Sequence, residues 1–366
     1  MLSRLLSNDL PRSRVLAVLL LVLVLGLAFA PFLVPGVKAL NVAAKVLIFV
    51  ALVVSFDLLL GYTGIVSFAH TMFFGIGAYG VAIAFTHLGA TWGALAAGVI
   101  GALLISLLLS LLIGLFSLRV KAIFFAMITL AVASAFLTLA SQLSDITGGE
   151  DGLSFRVPQL LTPGFRVFEQ DVLGVAVNGR IVTYYLIFLT VALMFLALLR
   201  IVNSPFGLVL QAIRENDFRA EALGYRTVVY RTLSNVISAG FATLAGGLLA
   251  LWLRYNGPDT SLSFEIMLDI LLIVVIGGMG TLYGAILGST LFLLAQSYLQ
   301  DVLKALGSAM EGWPLLPAIF TPDRWLLWLG LLFVLSVYYF PTGIVGRLRE
   351  RASLRTLNKA QKEESQ

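Results

Sequence analysis

Ten apolar runs constrain the fold of this chain more than any other feature. A transmembrane helix needs about 20 predominantly apolar residues. The runs lie near residues 15–34, 40–60, 64–86, 93–116, 122–140, 181–199, 232–253, 265–280, 283–299 and 325–340. Of the 366 residues, 60% are hydrophobic and 12% are charged, whereas about 25% are charged in ordinary soluble domains. The sequence therefore predicts an all-α, polytopic integral membrane protein with about ten transmembrane helices.

The charged residues predict how the chain is oriented, because Lys and Arg are enriched on the cytoplasmic side of membranes. We expect a cytoplasmic N-terminus (1–14), a transmembrane domain (15–345) with an external loop (141–180) and a cytoplasmic loop (201–231), and a polar cytoplasmic tail (346–366). The net charge of +5 follows from this orientation and does not indicate nucleic acid. All five tryptophans fall near the predicted outer boundary, where indole rings are enriched: Trp92, Trp252, Trp313, Trp325 and Trp328.

The first apolar run, near residues 15–34, follows a basic start and could be read as a secretory signal. It reaches the length of a membrane span, and no clear small-residue cleavage site follows it. We therefore expect an uncleaved first span.

A long polar segment, SPFGLVLQAIRENDFRAEALGYRTVVY at 204–230, interrupts the apolar pattern. Asn216 or Asp217 can cap the start of a short helix, FRAEAL, and Gly224 can supply the left-handed residue that ends it. We interpret this helix as a docking element for a soluble partner, with a merely solvated loop as the alternative. The residues expected at the contact are Arg214, Glu215, Asn216, Asp217, Arg219, Glu221 and Gly224.

Glycine clusters interrupt two of the apolar runs, at 58–80 (LLLGYTGIVSFAHTMFFGIGAYG) and at 276–289 (IGGMGTLYGAILGS). Non-helical backbone at membrane depth is tolerated only inside protein or around a water-filled cavity, and broken segments in both halves of a chain point to a translocation route. Close packing of small residues is the alternative, and both can hold together. The candidate pathway residues are Tyr62, Thr63, Ser67, His70 and Met279.

Few residues in or near the apolar runs could carry chemistry. Asp57, His70 and Asp269 are ionisable and could serve an ion-coupled transporter, with capping or packing as the alternative. The chain has no cysteine and two histidines, so neither thiolate chemistry nor a metal cluster is indicated. A GxxxxGKS or GxxxxGKT phosphate loop is also missing from the sequence. We expect no catalytic site, metal or cofactor, and no ATP hydrolysis by this chain alone.

Five motifs in a fixed order carry a family resemblance. They are LLLGYTGIVSFAHTMFFGIGAY, LRVKAIFFAMITLA at 118–131, TGGEDGL, SPFGLVLQAIRENDFRAEALGY and VVIGGMGTLYGAILGS. Over roughly residues 40–345, the chain resembles the branched-chain amino acid ABC permeases, specifically the LivM-like half of the LivH/LivM pair. The urea-type permeases share most of these motifs, so urea or amide import is the alternative.

The resemblance implies a permease subunit of a binding-protein-dependent importer with a fold like that of type II importers, whose halves could form inverted repeats. It implies a second, LivH-like permease, two cytoplasmic ATP-binding subunits and an external solute-binding protein. The FRAEAL helix would then be the coupling helix that sits in a groove of the ATPase. The expected location is the bacterial inner membrane, with both termini cytoplasmic, and the expected substrates are branched-chain or related amino acids. The rival functions are an ion-coupled secondary transporter and a scaffold or receptor without transport.

Overall fold

The computed structural model describes residues 13–34, 36–117, 122–167, 170–171, 174–309 and 320–349. Trp313, residues 1–12 and most of the predicted tail (350–366) lie outside the described residues. The described chain is helical apart from its loops and one pair of two-residue strands, which confirms the all-α class.

Long apolar helices follow the predicted runs in order. In the described part of the chain, nine helical segments are long and apolar enough to cross a membrane, and a further apolar helix, Val15–Ala28, is shorter. The helices are α1 (Arg14–Ala28), α2 (Ala30–Leu33), α3 (Val37–Thr63), α4 (His70–Leu88), α5 (Trp92–Ser117), α6 (Ala122–Gln142), α7 (Ser144–Thr147), α8 (Gly179–Val202), α9 (Pro205–Glu215), α10 (Asp217–Ala222), α11 (Thr227–Leu253), α12 (Pro258–Ser261), α13 (Phe264–Gly277), α14 (Leu282–Ala309), α15 (Trp325–Tyr339) and α16 (343–349). The strands are β1 (Leu153–Ser154) and β2 (Tyr255–Asn256).

The described chain forms two compact units. The first covers residues 25–270, and the second comprises residues 13–24 together with 271–349. The first unit contains the glycine cluster at 58–80 and the whole polar segment at 204–230, which we call the polar loop. The second contains the glycine cluster at 276–289.

Within the first unit, α3 is the most enclosed helix. Its residues from Val42 to Thr63 are buried almost without interruption, the polar Ser55 included. This helix packs against α8, α9 and α11, and α4 packs against α5 and α11. By contrast, α6 exposes Ile123 and Met127. A helix that is apolar on all sides can lie in a protein core or face lipid, and α3 and α6 illustrate the two cases.

Glycines bring α4 and α11 into close contact. A Cβ atom at Gly77 would lie 1.8 Å from the carbonyl oxygen of Thr243, and one at Gly246 would lie 1.8 Å from that of Phe74. Neither position can hold a side chain at this distance between the helices. Small residues at helix contacts are common in membrane proteins because association there depends on close packing. The packing interpretation of the first glycine cluster is therefore confirmed at Gly77.

Both predicted helix breaks are also present. Residues 64–69, which we call the first break, are not helical, so the span predicted at 64–86 is helical only from His70. Gly64 lies in the left-handed region with a φ of 73°, which glycine adopts at little cost. Residues 278–281, the second break, separate α13 from α14. The glycine clusters therefore combine broken backbone with close packing.

The predicted external loop (141–180) is held at one end of the first unit, where β1 pairs antiparallel with β2. At this end Arg180 donates a 2.7 Å hydrogen bond to Asn41 Oδ1, and its guanidinium lies 5.2 Å from the ring centre of Trp252. Burial lowers the pKa of Arg254, and the charge of Arg180 lowers it further. From Asn41 the α3 helix runs to the opposite end, where the polar loop lies.

We expect Gly77→Ala to destabilise the protein, because the added methyl group would meet the Thr243 carbonyl and force α4 and α11 apart. Overpacking of this kind costs about 1–3 kcal/mol. The thermal unfolding midpoint of the detergent-purified chain should therefore fall. Gly101→Ala on α5 is the matched control, since no atom beyond its own helical backbone lies within 4 Å of the added Cβ. Its midpoint should not fall below that of the wild type, because alanine favours a helix more than glycine does. If neither variant unfolds at a lower temperature than the wild type, the close contact between α4 and α11 is contradicted.

Candidate functional site

The polar loop folds into two helices, whereas the sequence analysis predicted only the second. The first, α9, begins with Pro205, whose fixed φ suits the first turn of a helix. Gly207, Leu210 and Ile213 are buried at three-residue spacing along one face of α9. This spacing was visible in GLVLQAIRE, residues 207–215, and could have predicted an amphipathic helix.

The second helix of the loop, α10, has the predicted caps. Asn216 Oδ1 accepts a 2.9 Å hydrogen bond from the backbone N–H of Arg219, which satisfies one of the unpaired donors at the helix start. The helix ends at Ala222, and Gly224 follows with a φ of 91°. The cap assignments for Asn216 and Gly224 are therefore confirmed.

Two acidic residues of α10 are engaged within the chain. Asp217 Oδ2 lies 2.9 Å from Arg231 Nη1, and Glu221 Oε1 accepts a 2.7 Å hydrogen bond from the Thr227 hydroxyl. Both partners lie at the start of α11. An exposed ion pair contributes little by itself, but here two contacts join the same pair of helices. Asp217 and Glu221 therefore hold α10 on α11. Glu221 is nevertheless exposed, as are the predicted contact residues Arg214, Glu215 and Arg219.

The sequence analysis missed the apolar residues of α10 and its C-terminal turn. Phe218 is 86% exposed and Leu223 is 72% exposed, whereas Ala220 on the opposite face of α10 is buried. Exposed apolar patches with a polar rim mark contact surfaces for other proteins, and Phe218 and Leu223 are the candidate residues for such a patch in this loop. We call Phe218 and Leu223 the apolar tip. Phe218 is part of the FRAEAL motif, and its aromatic side chain within a polar segment is the sequence signal that identifies it.

Arg214, another predicted docking residue, lies against the first break. One of its guanidinium nitrogens donates a hydrogen bond to the backbone carbonyl of Gly61, near the end of α3. Its aliphatic stem follows the same turn, because a Cβ atom at Gly64 would lie 3.1 Å from Arg214 Cγ. The structure thus connects the polar loop directly to the end of a membrane-spanning helix.

Four of the five candidate pathway residues lie together in the first unit. Tyr62, Thr63, Ser67 and His70 are all buried, and they flank or line the first break. The Thr63 hydroxyl is 2.9 Å from the carbonyl oxygen of Leu58 and 2.9 Å from the hydroxyl of Ser234 on α11. The end of α3 is therefore joined to α11 through side chains.

His70 continues this polar contact between helices. Its Nε2 atom lies 2.9 Å from Ser55 Oγ and 3.3 Å from the Leu52 carbonyl oxygen, both on α3. A carbonyl can only accept, so the contact with Leu52 is a hydrogen bond in the tautomer that carries the proton on Nε2. The Ser238 hydroxyl of α11 donates a 2.5 Å hydrogen bond to the carbonyl of Ser55. We call Ser55, Thr63, His70, Ser234 and Ser238 the polar seam, because they join α3, α4 and α11.

The other residues singled out from the sequence, Met279, Asp57 and Asp269, are not part of the polar seam. Met279 belongs to the second unit, where it lies in the second break and is 47% exposed. Asp57 is buried in α3, and Asp269 is half-buried on α13. The polar seam itself consists of hydroxyl and imidazole side chains and the backbone carbonyls that they contact.

The comparisons with known proteins agree with this architecture. The family model for the branched-chain amino acid transport system, permease component, matches residues 38–337. The permease protein LivM of Salmonella typhimurium is 26% identical over 92% of this chain and 76% of its own length. LivM of Escherichia coli is 26% identical over 92% of this chain and 77% of its own length. The probable LivM of Methanocaldococcus jannaschii is 26% identical over 67% of this chain and 69% of its own length.

No solved structure matches this chain. The family model alone covers well over half of the 366 residues, and the two bacterial relatives match nearly the whole chain. The chain therefore belongs to the family of branched-chain amino acid transport system permease components, and it is a transmembrane permease subunit of an ABC importer.

Proposed function

We propose that this subunit forms half of a translocation route for the ATP-driven uptake of branched-chain or related amino acids. The apolar tip of α10, formed by Phe218 and Leu223, is the observation that carries the coupling part of the proposal. Support for the substrate comes from the relatives of Salmonella typhimurium and Escherichia coli, which are named as high-affinity branched-chain amino acid transport permeases.

The proposed role of α10 is to receive the movement of cytoplasmic ATP-binding subunits. An aromatic anchor within a polar rim is the typical composition of an energetically important protein contact. Phe218 would be this anchor, with the exposed side chains of Glu215 and Arg219 on its rim. The ion pair of Asp217 and the hydrogen bond of Glu221 to α11 would make α10 move together with a membrane-spanning helix. A helix capped at both ends transmits a displacement better than a flexible loop.

The proposed partners are two cytoplasmic ATP-binding subunits, a second, LivH-like permease and an external solute-binding protein. Closure of the ATPase pair would displace α10 and α11, and the polar seam would pass this displacement to α3 and α4. The first break would then change its accessibility from one side of the membrane to the other. The candidate pathway residues Tyr62, Thr63, Ser67, His70 and Met279 keep their proposed role.

The proposed location is the bacterial inner membrane, with both termini and the polar loop in the cytoplasm and the 141–180 loop outside. The polar loop supports this orientation because it is rich in arginine. Arg214, Arg219 and Arg226 lie within it, and Arg200 and Arg231 flank it.

The orientation can be tested with introduced thiols, because the natural chain contains no cysteine. We expect a membrane-impermeant maleimide to label Gln159→Cys in intact spheroplasts, since Gln159 is exposed in the external loop. Arg226→Cys, exposed in the polar loop, should be labelled only after the membrane is permeabilised. The reverse pattern would overturn the proposed orientation.

We expect Phe218→Ala to weaken retention of the ATP-binding subunits during affinity purification of the solubilised complex. Loss of an aromatic anchor costs about 2 kcal/mol or more, which corresponds to about 30-fold in affinity. Phe124→Ala is the matched control, since Phe124 is an exposed aromatic residue on α6, outside the polar loop. Wild-type retention in Phe218→Ala would contradict docking through the apolar tip.

The transported substrate can be measured with the purified complex in proteoliposomes. We expect labelled leucine to accumulate only when the solute-binding protein is present on one side and ATP on the other. Accumulation of urea without leucine would replace the proposed substrate. Leucine uptake driven by a proton or sodium gradient without ATP would refute ATP-driven import, and no flux under any condition would indicate a scaffold or receptor.

A further inference from the structure

The C-terminal end of α3 presents a hydrogen-bonding problem inside the first unit. The last four carbonyls of a helix have no partner within the helix. At this end, the backbone N–H of Ile65 bonds the carbonyl of Leu59 at 3.0 Å, so the chain turns back instead of continuing. The carbonyl of Gly61 is therefore left for another donor. Its partner in the structure is the guanidinium of Arg214, from the last turn of α9.

Arg214 suits this position for two physical reasons. A cationic side chain at a helix C-terminus bonds the free carbonyls and interacts favourably with the negative end of the helix dipole. The stem of Arg214 also packs on the turn at Gly64, whose φ of 73° makes the turn possible. One side chain therefore contacts both the end of α3 and the first residue of the first break.

The position of Arg214 in the chain connects this contact to α10. Arg214 lies two residues before Asn216, the residue that caps α10. The Asn216 cap and the two contacts between α10 and α11 do not involve Arg214. The α10 helix and its apolar tip can therefore keep their structure when Arg214 is replaced. Arg214 thus differs from the other predicted docking residues, because its polar group faces the membrane-embedded break.

We infer that Arg214 is a positioning residue that caps the broken end of α3 and transmits displacement of α9 and α10 to the first break. The inference rests on the proposed coupling function of α10. It replaces the predicted role of Arg214 as a direct contact for the ATPase. Without Arg214, the ATP-binding subunits should stay bound to the permease. They should continue to hydrolyse ATP, but less substrate should be transported per ATP.

The first test uses the reconstituted complex with Arg214→Gln, and Arg200→Gln serves as the matched control. Arg200 is an exposed arginine at the end of α8, and it is outside the proposed contacts. In Arg214→Gln we expect normal retention of the ATP-binding subunits and continued ATP hydrolysis. The leucine transported per ATP should fall about tenfold, the size of a typical coupling between sites. Arg214→Lys should transport more leucine per ATP than Arg214→Gln but less than the wild type, because lysine keeps the charge but not the planar guanidinium.

The second test does not depend on transport. Ser67→Cys places a single thiol in the first break, at a position that is 1% exposed. Combining it with Arg214→Gln should raise the rate of maleimide labelling about fivefold in detergent, because the uncapped break opens more often. Combining it with Arg200→Gln should leave the rate unchanged.

The outcomes separate this inference from the proposed function. Loss of the ATP-binding subunits from Arg214→Gln would show a direct contact and overturn the inference. Unchanged thiol labelling together with unchanged transport per ATP would overturn it as well. If the wild-type chain retains no ATP-binding subunit, the proposed function fails, while the labelling rates still decide whether Arg214 caps the break.

Discussion

The structure depends on the requirement that backbone N–H and C=O groups at membrane depth find partners within the protein. Continuous helices satisfy this requirement by themselves, so each interruption needs additional donors or acceptors. At the first break, Gly64 reverses the backbone, Ile65 returns its N–H to Leu59, and Arg214 binds the carbonyl of Gly61. The broken end of α3 is thereby supported by the polar loop. The membrane-embedded and polar parts of the first unit are consequently one connected structure.

Two kinds of contact hold the helices of the first unit together. Because Gly77 and Gly246 have no side chains, the backbones of α4 and α11 approach closely. The polar seam joins α3 to the same two helices, since Thr63 lies 2.9 Å from Ser234 and Ser55 lies 2.9 Å from His70. Neutral groups of this kind are cheaper to bury in a membrane than charges. The seam therefore suits a subunit that, under the proposed mechanism, receives its energy from ATP-binding partners.

The charged residues of the polar loop include several with partners inside the chain. Asp217 and Glu221 hold α10 on α11, and Arg214 supports the end of α3. Glu215 and Arg219 are exposed, as is the apolar Phe218. Some charged residues of this loop thus build and place the helix, while the proposed contact with a partner combines an apolar side chain with a charged rim.

The sequence by itself determined the order of the membrane spans, the two breaks and the caps of α10. These features depend on apolar run length, glycine conformation and capping chemistry, all of which act within a few residues. The α9 helix was not predicted, although the three-residue spacing of Gly207, Leu210 and Ile213 is a local signal for an amphipathic helix. Only the tertiary structure decided the partners of Arg214, Thr63 and His70. Gly61 lies 153 positions from Arg214, and no local pattern specifies which helix end such a distant side chain will reach.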